Sequence, residues 1–263
     1  MKWRARLNLP REHGAWAMFY VPLLLGILVG GGFSWPVGWL IIAASALFIS
    51  RESLLLVWRS RLRGRLDRAA LLTLAIDGLF AIGAGAVLLF HYQYLNLLWL
   101  GLPGLFLLLL NGWQSSRRAD RTMATEILAI GGMTLAAPAA HYVASGRWDG
   151  LTGALWGFSF LYFASSVFYV KYRVAIVHRR DPGWRRQITR LSLLYHLLLP
   201  AILALLVIRG AWSILLIPAF LPIIARALYH HRHPPPGLNL KQIGVSEIVY
   251  ALVFLTLTTF ALA

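Results

Sequence analysis

Three carboxylates lie inside long apolar stretches of the sequence: Asp77, Glu126 and Glu247. Two more ionisable residues, Glu12 and His13, stand at the start of the first such stretch. An ionisable side chain embedded in apolar sequence is costly in lipid and is a candidate functional site by default. Because histidine and carboxyl groups can exchange protons with a bound molecule, Glu126 and His13 are predicted to act as general acid or base.

Cations and hydroxyls near these acids form a second candidate set. Arginine can hold a phosphate or quinone oxygen through forked hydrogen bonds, without a metal ion. At about 1.5 Å per helical residue, the ionisable members fall within about two turns of one membrane surface, where a compact bundle would gather them around one cavity. Alternatively, Glu12 and Glu52 only neutralise Arg11 and Arg51. The predicted substrate-binding residues are Arg11, Glu12, Arg51, Glu52, Arg121, Tyr162, Tyr169, Lys171, Arg173, Lys241 and Glu247.

A polar stripe in the sixth apolar stretch sharpens this prediction. Its members recur at steps of three and four residues, so they share one helix face. Such a face in lipid should meet protein or water. It either lines the cavity, or makes hydrogen bonds between helices with a tyrosine anchor at the interface. The stripe comprises Tyr162, Ser165, Ser166, Tyr169, Tyr172 and Arg173.

Metal-ligating patterns are weak. The chain has no cysteine, and its one histidine-rich segment is His230–Pro236, with the sequence HHRHPPP. No carboxylate or fourth ligand is close in sequence, so an interfacial linker stopped by prolines is the favoured interpretation. We therefore predict no metal site, and no cofactor is assigned.

The elements that must position these residues are membrane-spanning helices. Of the 263 residues, 59% are hydrophobic, more than the roughly 45–50% apolar content of soluble domains. The sequence predicts an all-α, polytopic transmembrane helix bundle that forms a single transmembrane domain over residues 1–263. Small residues four apart, Gly26/Gly30 and Gly153/Gly157, allow close helix approach in lipid. About nine stretches approach the length of a span: 13–31, 35–57, 70–91, 94–112, 122–144, 150–172, 188–208, 210–229 and 243–263.

The basic residues indicate topology. The chain holds 25 Lys and Arg against 9 Asp and Glu, a formal charge of +16. With the amino terminus inside, all of these cations except Arg147 and Arg209 fall on the cytoplasmic side, as the positive-inside rule requires. We expect a multi-pass protein of the bacterial inner (plasma) membrane with a cytoplasmic amino terminus. The basic loops would face anionic lipid headgroups, and no nucleic-acid partner is predicted.

Several runs resemble the YwiC-like family of bacterial membrane proteins. The most specific run is Pro10–Met18 (PREHGAWAM), and the matching runs together extend over nearly the whole chain. The resemblance implies an integral membrane protein and assigns no reaction to it. The further matching runs are Thr125–Leu128, Leu135–Ala140, Ser166–Lys171 and Lys241–Gly244.

A more distant resemblance is to the UbiA-type intramembrane prenyltransferases, through Thr125–Gly132 (TEILAIGG). It implies a UbiA-like arrangement of nine helices around a cytoplasm-facing cavity. Those enzymes hold a prenyl diphosphate through magnesium on two Asp-rich motifs. The corresponding places here are Ser50–Arg59 (SRESLLLVWR) and Tyr169–Arg173 (YVKYR), where cations stand in place of the aspartates. Magnesium needs hard oxygen ligands, so metal-dependent prenyl transfer is not expected.

Three functions follow from these patterns. The first is binding of an isoprenoid, quinone or anionic lipid in a cytoplasm-facing cavity, with or without metal-independent transferase chemistry. The second is proton- or cation-coupled transport through Glu126, Asp77 and Glu247. The third is an accessory role in a respiratory membrane complex, which needs no cavity chemistry. Lipid or quinone binding is favoured, since no inverted repeat of the kind found in transporters is evident.

Overall fold

The computed structural model describes residues 13–116, 122–177, 181–210, 212–235, 237 and 239–262. All regular secondary structure in these ranges is helical. Seven of the described helical segments are long and apolar enough to cross a membrane by length and composition. The helices are α1 (His13–Val29), α2 (Trp35–Leu62), α3 (Arg68–Ala86), α4 (Leu97–Ser116), α5 (Met123–Met133), α6 (Ala136–Ser145), α7 (Gly150–Val177), α8 (Pro182–Ile208), α9 (Leu216–Arg232) and α10 (Leu240–Leu262).

Each of the nine predicted spans corresponds to helical structure, so the all-α polytopic bundle is confirmed. The ends differ from the prediction in a consistent direction for the long helices. Helix α2 runs to Leu62 instead of 57, α7 runs to Val177 instead of 172, and α8 begins at Pro182 instead of 188. Hydropathy marks where hydrocarbon ends, whereas a helix continues through interfacial arginines, because arginine is a good helix former.

Helix starts follow local capping chemistry. The side chain of Asp67 accepts a hydrogen bond from the backbone N–H of Ala70 (3.0 Å) and so caps α3. Asp181 does the same for α8 through Trp184 N–H (2.8 Å), with Pro182 in the first helical turn. Each cap satisfies a backbone donor that the first turn of a helix leaves free.

The fifth predicted span is two helices in place of one. Helix α5 ends at Met133 and α6 begins at Ala136. Pro138 has no N–H to donate to the carbonyl of Thr134, which a continuous helix would require. Two side chains use carbonyls next to this break: Thr134 Oγ1 donates to Ile130 O (2.8 Å), and Trp156 Nε1 donates to Gly131 O (3.1 Å).

Close approach of helices occurs at one of the two predicted glycine pairs. A Cβ on Gly26 would lie 2.1 Å from Ala137 O, and one on Gly30 would lie 2.6 Å from Ala144 Cβ. Helices α1 and α6 therefore touch through their backbones. Gly153 and Gly157 make no such approach, since a Cβ on either meets nothing within 4 Å among the described residues. Spacing alone does not supply a partner helix.

The helices divide into two compact units: unit 1, residues 1–156, and unit 2, residues 157–263. The core of unit 1 includes Phe19 stacked on Phe48, with ring centroids 4.6 Å apart. In unit 2, Tyr162 of α7 stacks on Phe254 of α10 at 4.0 Å, and Phe168 of α7 stacks on Tyr195 of α8 at 4.3 Å. The single domain over 1–263 stays a prediction.

Candidate functional site

Unit 1 contains an apolar cavity of about 320 Å³, at the lower end of the range of roughly 300–1,000 Å³ typical of ligand sites. Helices α3 and α4 each pack on α2, and the cavity has residues of both along its walls. It is lined by side chains of α1 to α6 and of the short π-helix Val87–His91 that continues α3, among them Phe19, Leu40, Ala43, Leu47, Phe48, Ala81, Gly85, Leu88, Leu97, Gly101, Gly104, Leu108, Ala129, Met133, Ala136 and Ala139.

The polar part of this lining is formed by Arg51 and Asn111. Arg51 donates from Nη1 to Oε1 of Glu52 (2.8 Å) and from Nη2 to Oδ1 of Asn111 (3.0 Å). Asn111 in turn donates to the backbone carbonyl of Thr125 (3.3 Å). Glu52 thus pairs with Arg51, as the alternative interpretation of this residue expects. These bonds fix the guanidinium of α2 against α4 and α5.

Glu126 directly follows Thr125 and so belongs to the same end of the cavity. Ala129 and Gly132, three and six residues later, line the cavity. Residues at this spacing share a helix face, so half-buried Glu126 lies one turn beyond the lining on α5.

Asp77 has the corresponding place on α3, four residues before Ala81, which lines the cavity. Its Oδ2 is shielded from solvent and has no hydrogen-bond partner within the described ranges.

A second polar group lies inside unit 2 and has a buried ion pair at its centre. Nη2 of Arg226 lies 2.5 Å from Oε1 of Glu247, with side chains only 7% and 14% exposed. The two atoms form a close ion pair, but the angles at this contact do not meet hydrogen-bond geometry. Neither atom has a hydrogen-bond partner among the described residues. Ser166 donates to the other carboxylate oxygen of Glu247 (2.5 Å).

Aromatic rings surround this arginine. The guanidinium carbon of Arg226 lies 4.0 Å from the ring centroid of Tyr169 and 4.9 Å from that of Tyr250. Cation–π attraction of this kind is strongest where water is absent. The arrangement gives α9 a charge held by rings from α7 and α10.

Tyr169 connects the ion pair to a second arginine. Its hydroxyl lies 2.6 Å from Nδ1 of His230 and accepts a hydrogen bond from Nη1 of Arg173 (3.1 Å). Arg173 also donates to the backbone carbonyl of Gly237 (2.5 Å). Arg173 and Tyr169 are both buried, so these groups bind helices together inside unit 2.

The rest of the polar stripe on α7 has the same use. Ser165 Oγ lies 2.9 Å from Nε2 of His196 on α8, and Tyr172 donates to the carbonyl of His230 on α9 (2.9 Å). Tyr162 is buried, and its hydroxyl has no partner in the described part of the chain. The sequence left two interpretations of this stripe open, a cavity lining or hydrogen bonding between helices. The contacts of Ser165 and Tyr172 are hydrogen bonds between helices.

The remaining predicted site residues lie apart from these two groups or beyond the described ranges. Arg11, Glu12 and Arg121 lie outside the described residues, and His13 is the first residue of α1. Lys171 is half-buried on α7, and Lys241 is exposed on the first turn of α10. Of the predicted residues, Arg51 lines the cavity in unit 1, and Glu247, Tyr169 and Arg173 belong to the polar group in unit 2. The single shared cavity stays a prediction.

Sequence reasoning missed Asn111 and Arg226. Asn111 is an isolated amide in a leucine-rich stretch, and a lone polar side chain in such a stretch is the signal that predicts a partner on another helix. The structure has it buried, at 8% exposure. Arg226 was counted among cytoplasmic cations, although it lies within the predicted span 210–229. An arginine inside a span is the signal that would have found it.

Comparison with known proteins gives a consistent result along the chain. Residues 9–141 match the YwiC-like protein family. Over 251 residues, the chain is 28% identical to the Uncharacterized protein YwiC of Bacillus subtilis (strain 168), covering 94% of this chain and 95% of that protein. No solved structure matches.

Proposed function

We propose that this chain, which belongs to the YwiC-like family, is a multi-span protein of the bacterial inner membrane that binds an isoprenoid, quinone or other lipid in the apolar cavity of unit 1. The observation that carries the proposal is one cavity with an apolar wall and a polar end at Arg51 and Asn111. An apolar wall with one polar end suits a ligand with an apolar tail and a head group that forms hydrogen bonds.

Exposed apolar side chains on α3 and α4, together with the distribution of cations, support entry of a ligand into the cavity from the lipid. Many large side chains of α3 and α4 are exposed, among them Phe80, Ile82 and Phe106. In water this surface would be costly, whereas in a bilayer acyl chains cover it. We place the amino terminus in the cytoplasm, because nearly all cations then follow the positive-inside rule. Arg51, in the half of α2 that also carries Arg59 and Arg61, then lies toward the cytoplasmic side.

Acid–base chemistry at this head would fall to Glu126. It continues the cavity face of α5 at the end where Arg51 lies, so a carboxyl there could exchange a proton with a ligand hydroxyl or carbonyl. The same position serves binding alone, so the tests below measure binding.

Filling the cavity should displace the ligand. Gly85 lines the cavity, and a Cβ there meets nothing within 4 Å. Gly85→Leu would place four carbon atoms in the space of the tail, and overfilling of this kind costs about 1–3 kcal/mol, so we expect about a tenfold loss of co-purifying lipid. The measurement is mass spectrometry of lipid extracted from protein purified in mild detergent.

Gly83→Leu is the matched control for this experiment. Gly83 lies on the same helix and is exposed outside the cavity lining, and a Cβ there also meets nothing within 4 Å. Equal lipid retention by the two variants, or absence of any specific isoprenoid or lipid from the wild-type protein, would contradict the proposal.

Arg51→Gln should weaken retention of the ligand head. A guanidinium has five N–H donors, and the contacts with Glu52 and Asn111 occupy two of them. A hydrogen bond from a charged donor contributes about 1.5–3 kcal/mol, so bound ligand should fall about tenfold or more. Arg61→Gln, exposed in the last turn of α2, should retain the ligand as wild type does. Loss of ligand in both variants would point to general destabilisation instead.

A further inference from the structure

The apolar cavity of unit 1 has a direction, which two of its helices define. The residues of α2 that line it run from Leu40 to Arg51, and those of α4 run from Leu97 to Asn111. In both series the polar residue is the last, and a hydrogen bond of 3.0 Å joins the two polar side chains. At 1.5 Å per residue, the lining extends about 16 Å along α2 and about 21 Å along α4. The cavity is therefore an elongated space with its polar groups at one end.

The end opposite the polar groups is closed by packed side chains. Leu40 and Leu88 line the cavity, and both are buried members of the hydrophobic core of unit 1. Leu97 packs against the same core. Because protein interiors are close-packed, a ligand tail that is longer than the cavity cannot continue through this end without displacing the core.

One side of the cavity is open among the residues that the structure describes. Leu47 of α2 and Leu98 and Leu105 of α4 line the cavity, yet they are 46%, 46% and 48% exposed. Helices α3 and α4 each pack on α2 but do not pack closely against each other. Gly85 of α3 and Gly101 of α4 both line the cavity, and a Cβ on either meets nothing within 4 Å. The opening thus lies between α3 and α4, with a glycine on each side.

From this shape we infer that a bound tail runs along α4, away from Arg51 and Asn111, and leaves the cavity sideways between α3 and α4. The inference rests on the proposed function and narrows its ligand class. The cavity holds the head and the first part of the tail, while the remainder lies among the acyl chains of the bilayer, which are as apolar as the protein wall. The site therefore accepts isoprenoids with tails longer than about 21 Å, such as polyprenols and long-chain prenylquinones.

The two glycines lie at different distances from the polar end. Gly101 is ten residues before Asn111 on α4, which is about 15 Å along the helix axis. Gly85 is 17 residues after the start of α3, and Ser45 is 17 residues before the end of α2. Since α2 and α3 pack as a hairpin, Gly85 lies at the depth of Ser45, about 9 Å from Arg51. A tail that starts at the polar end passes Gly85 first and Gly101 later.

Photo-crosslinking with solanesol, a long polyprenol, tests the course of the tail. Three analogues carry a diazirine in the isoprene unit next to the hydroxyl, in the fourth unit or in the last unit. The full-length chain in lipid nanodiscs is illuminated with each analogue, and labelled residues are identified by mass spectrometry. We expect the first-unit label near Asn111 and the fourth-unit label on 97–101. The last-unit label should fall on lipid, with about tenfold less labelling of protein.

Gly101→Leu is the position-selective variant for this experiment. Its side chain fills the cavity beyond the first isoprene units, so fourth-unit labelling of α4 should fall about tenfold. First-unit labelling should stay within about twofold of wild type. Gly85→Leu, nearer the polar end, should reduce labelling by both probes, and Gly83→Leu should reduce neither.

The outcomes separate this inference from the proposed function. Competed labelling of cavity residues with the fourth-unit label in unit 2, or with strong last-unit labelling inside the cavity, would overturn the course of the tail and leave lipid binding standing. Protein labelling that excess unmodified solanesol does not reduce, for every analogue, would overturn both.

Discussion

Glu247→Ala should lower the free energy of unfolding by about 3–5 kcal/mol, the loss found when one partner of a buried ion pair is removed. The variant leaves Arg226, whose side chain is 7% exposed, with its charge between the rings of Tyr169 and Tyr250. These rings retain some attraction for the cation but cannot replace a carboxylate. The measurement is unfolding of the purified protein in mixed micelles with increasing denaturing detergent.

Two further variants make this result specific. Arg226→Met combined with Glu247→Leu removes both charges, and apolar replacement of a whole buried pair is often neutral or stabilising. The double variant should therefore be more stable than Glu247→Ala alone. Lys241→Ala, which removes an exposed charge from the same helix, should change stability by no more than about 0.5 kcal/mol. A double variant no more stable than Glu247→Ala would show that the pair acts through packing alone.

Gly26→Leu, in unit 1, should lower the free energy of unfolding at least as much as Glu247→Ala does. The Cβ itself would lie 2.1 Å from the carbonyl oxygen of Ala137 and 2.8 Å from the Cβ of Ala140. These neighbours are backbone and a methyl group, which cannot rotate away, so α1 and α6 would have to separate. We expect a loss of more than about 3 kcal/mol, at or above the upper end of the usual cost of overpacking. The same detergent titration measures it.

Gly14→Ala is the control on the same helix, since a Cβ on Gly14 meets nothing within 4 Å. Replacing glycine by alanine in a helix contributes about 0.5–1 kcal/mol where space allows. Because Phe19 of α1 and Ala136 of α6 both line the cavity, Gly26→Leu should also reduce bound lipid. Wild-type stability in Gly26→Leu would show that α1 and α6 do not pack through this face.

The sequence predicted the elements better than their partners. Runs of apolar residues located helical structure at each of the nine predicted places, because the length of a helix in lipid is set by bilayer thickness. Seven of the described helical segments are long and apolar enough to cross a membrane. The two glycine pairs had the same spacing, yet of these four glycines only Gly26 and Gly30 face small residues on another helix. That difference depends on which helices are neighbours in the fold, and the spacing of residues along one helix does not contain this information.

The same holds for the candidate site residues: the sequence identified individual residues better than their partners. Ionisable residues in apolar sequence were correctly singled out, and Glu247 does lie in a buried group. Its partner Arg226 is 21 residues away on a different helix, and loop counting assigned that arginine to the interface. A charge near the end of a span can lie in headgroups or pair inside the bundle, and only the neighbouring helices decide which.

The interruption at Thr134 and Leu135 has a consequence for the electrical character of the cavity wall. Helix α5 ends and α6 begins near the middle of the segment Met123–Ser145, with cavity-lining residues on both sides of the break. The carboxyl end of one half-helix carries a partial negative charge, and the amino end of the next carries a partial positive charge. Backbone dipoles thus bring polarity to mid-membrane depth without a charged side chain, where a search for ionisable residues would find nothing.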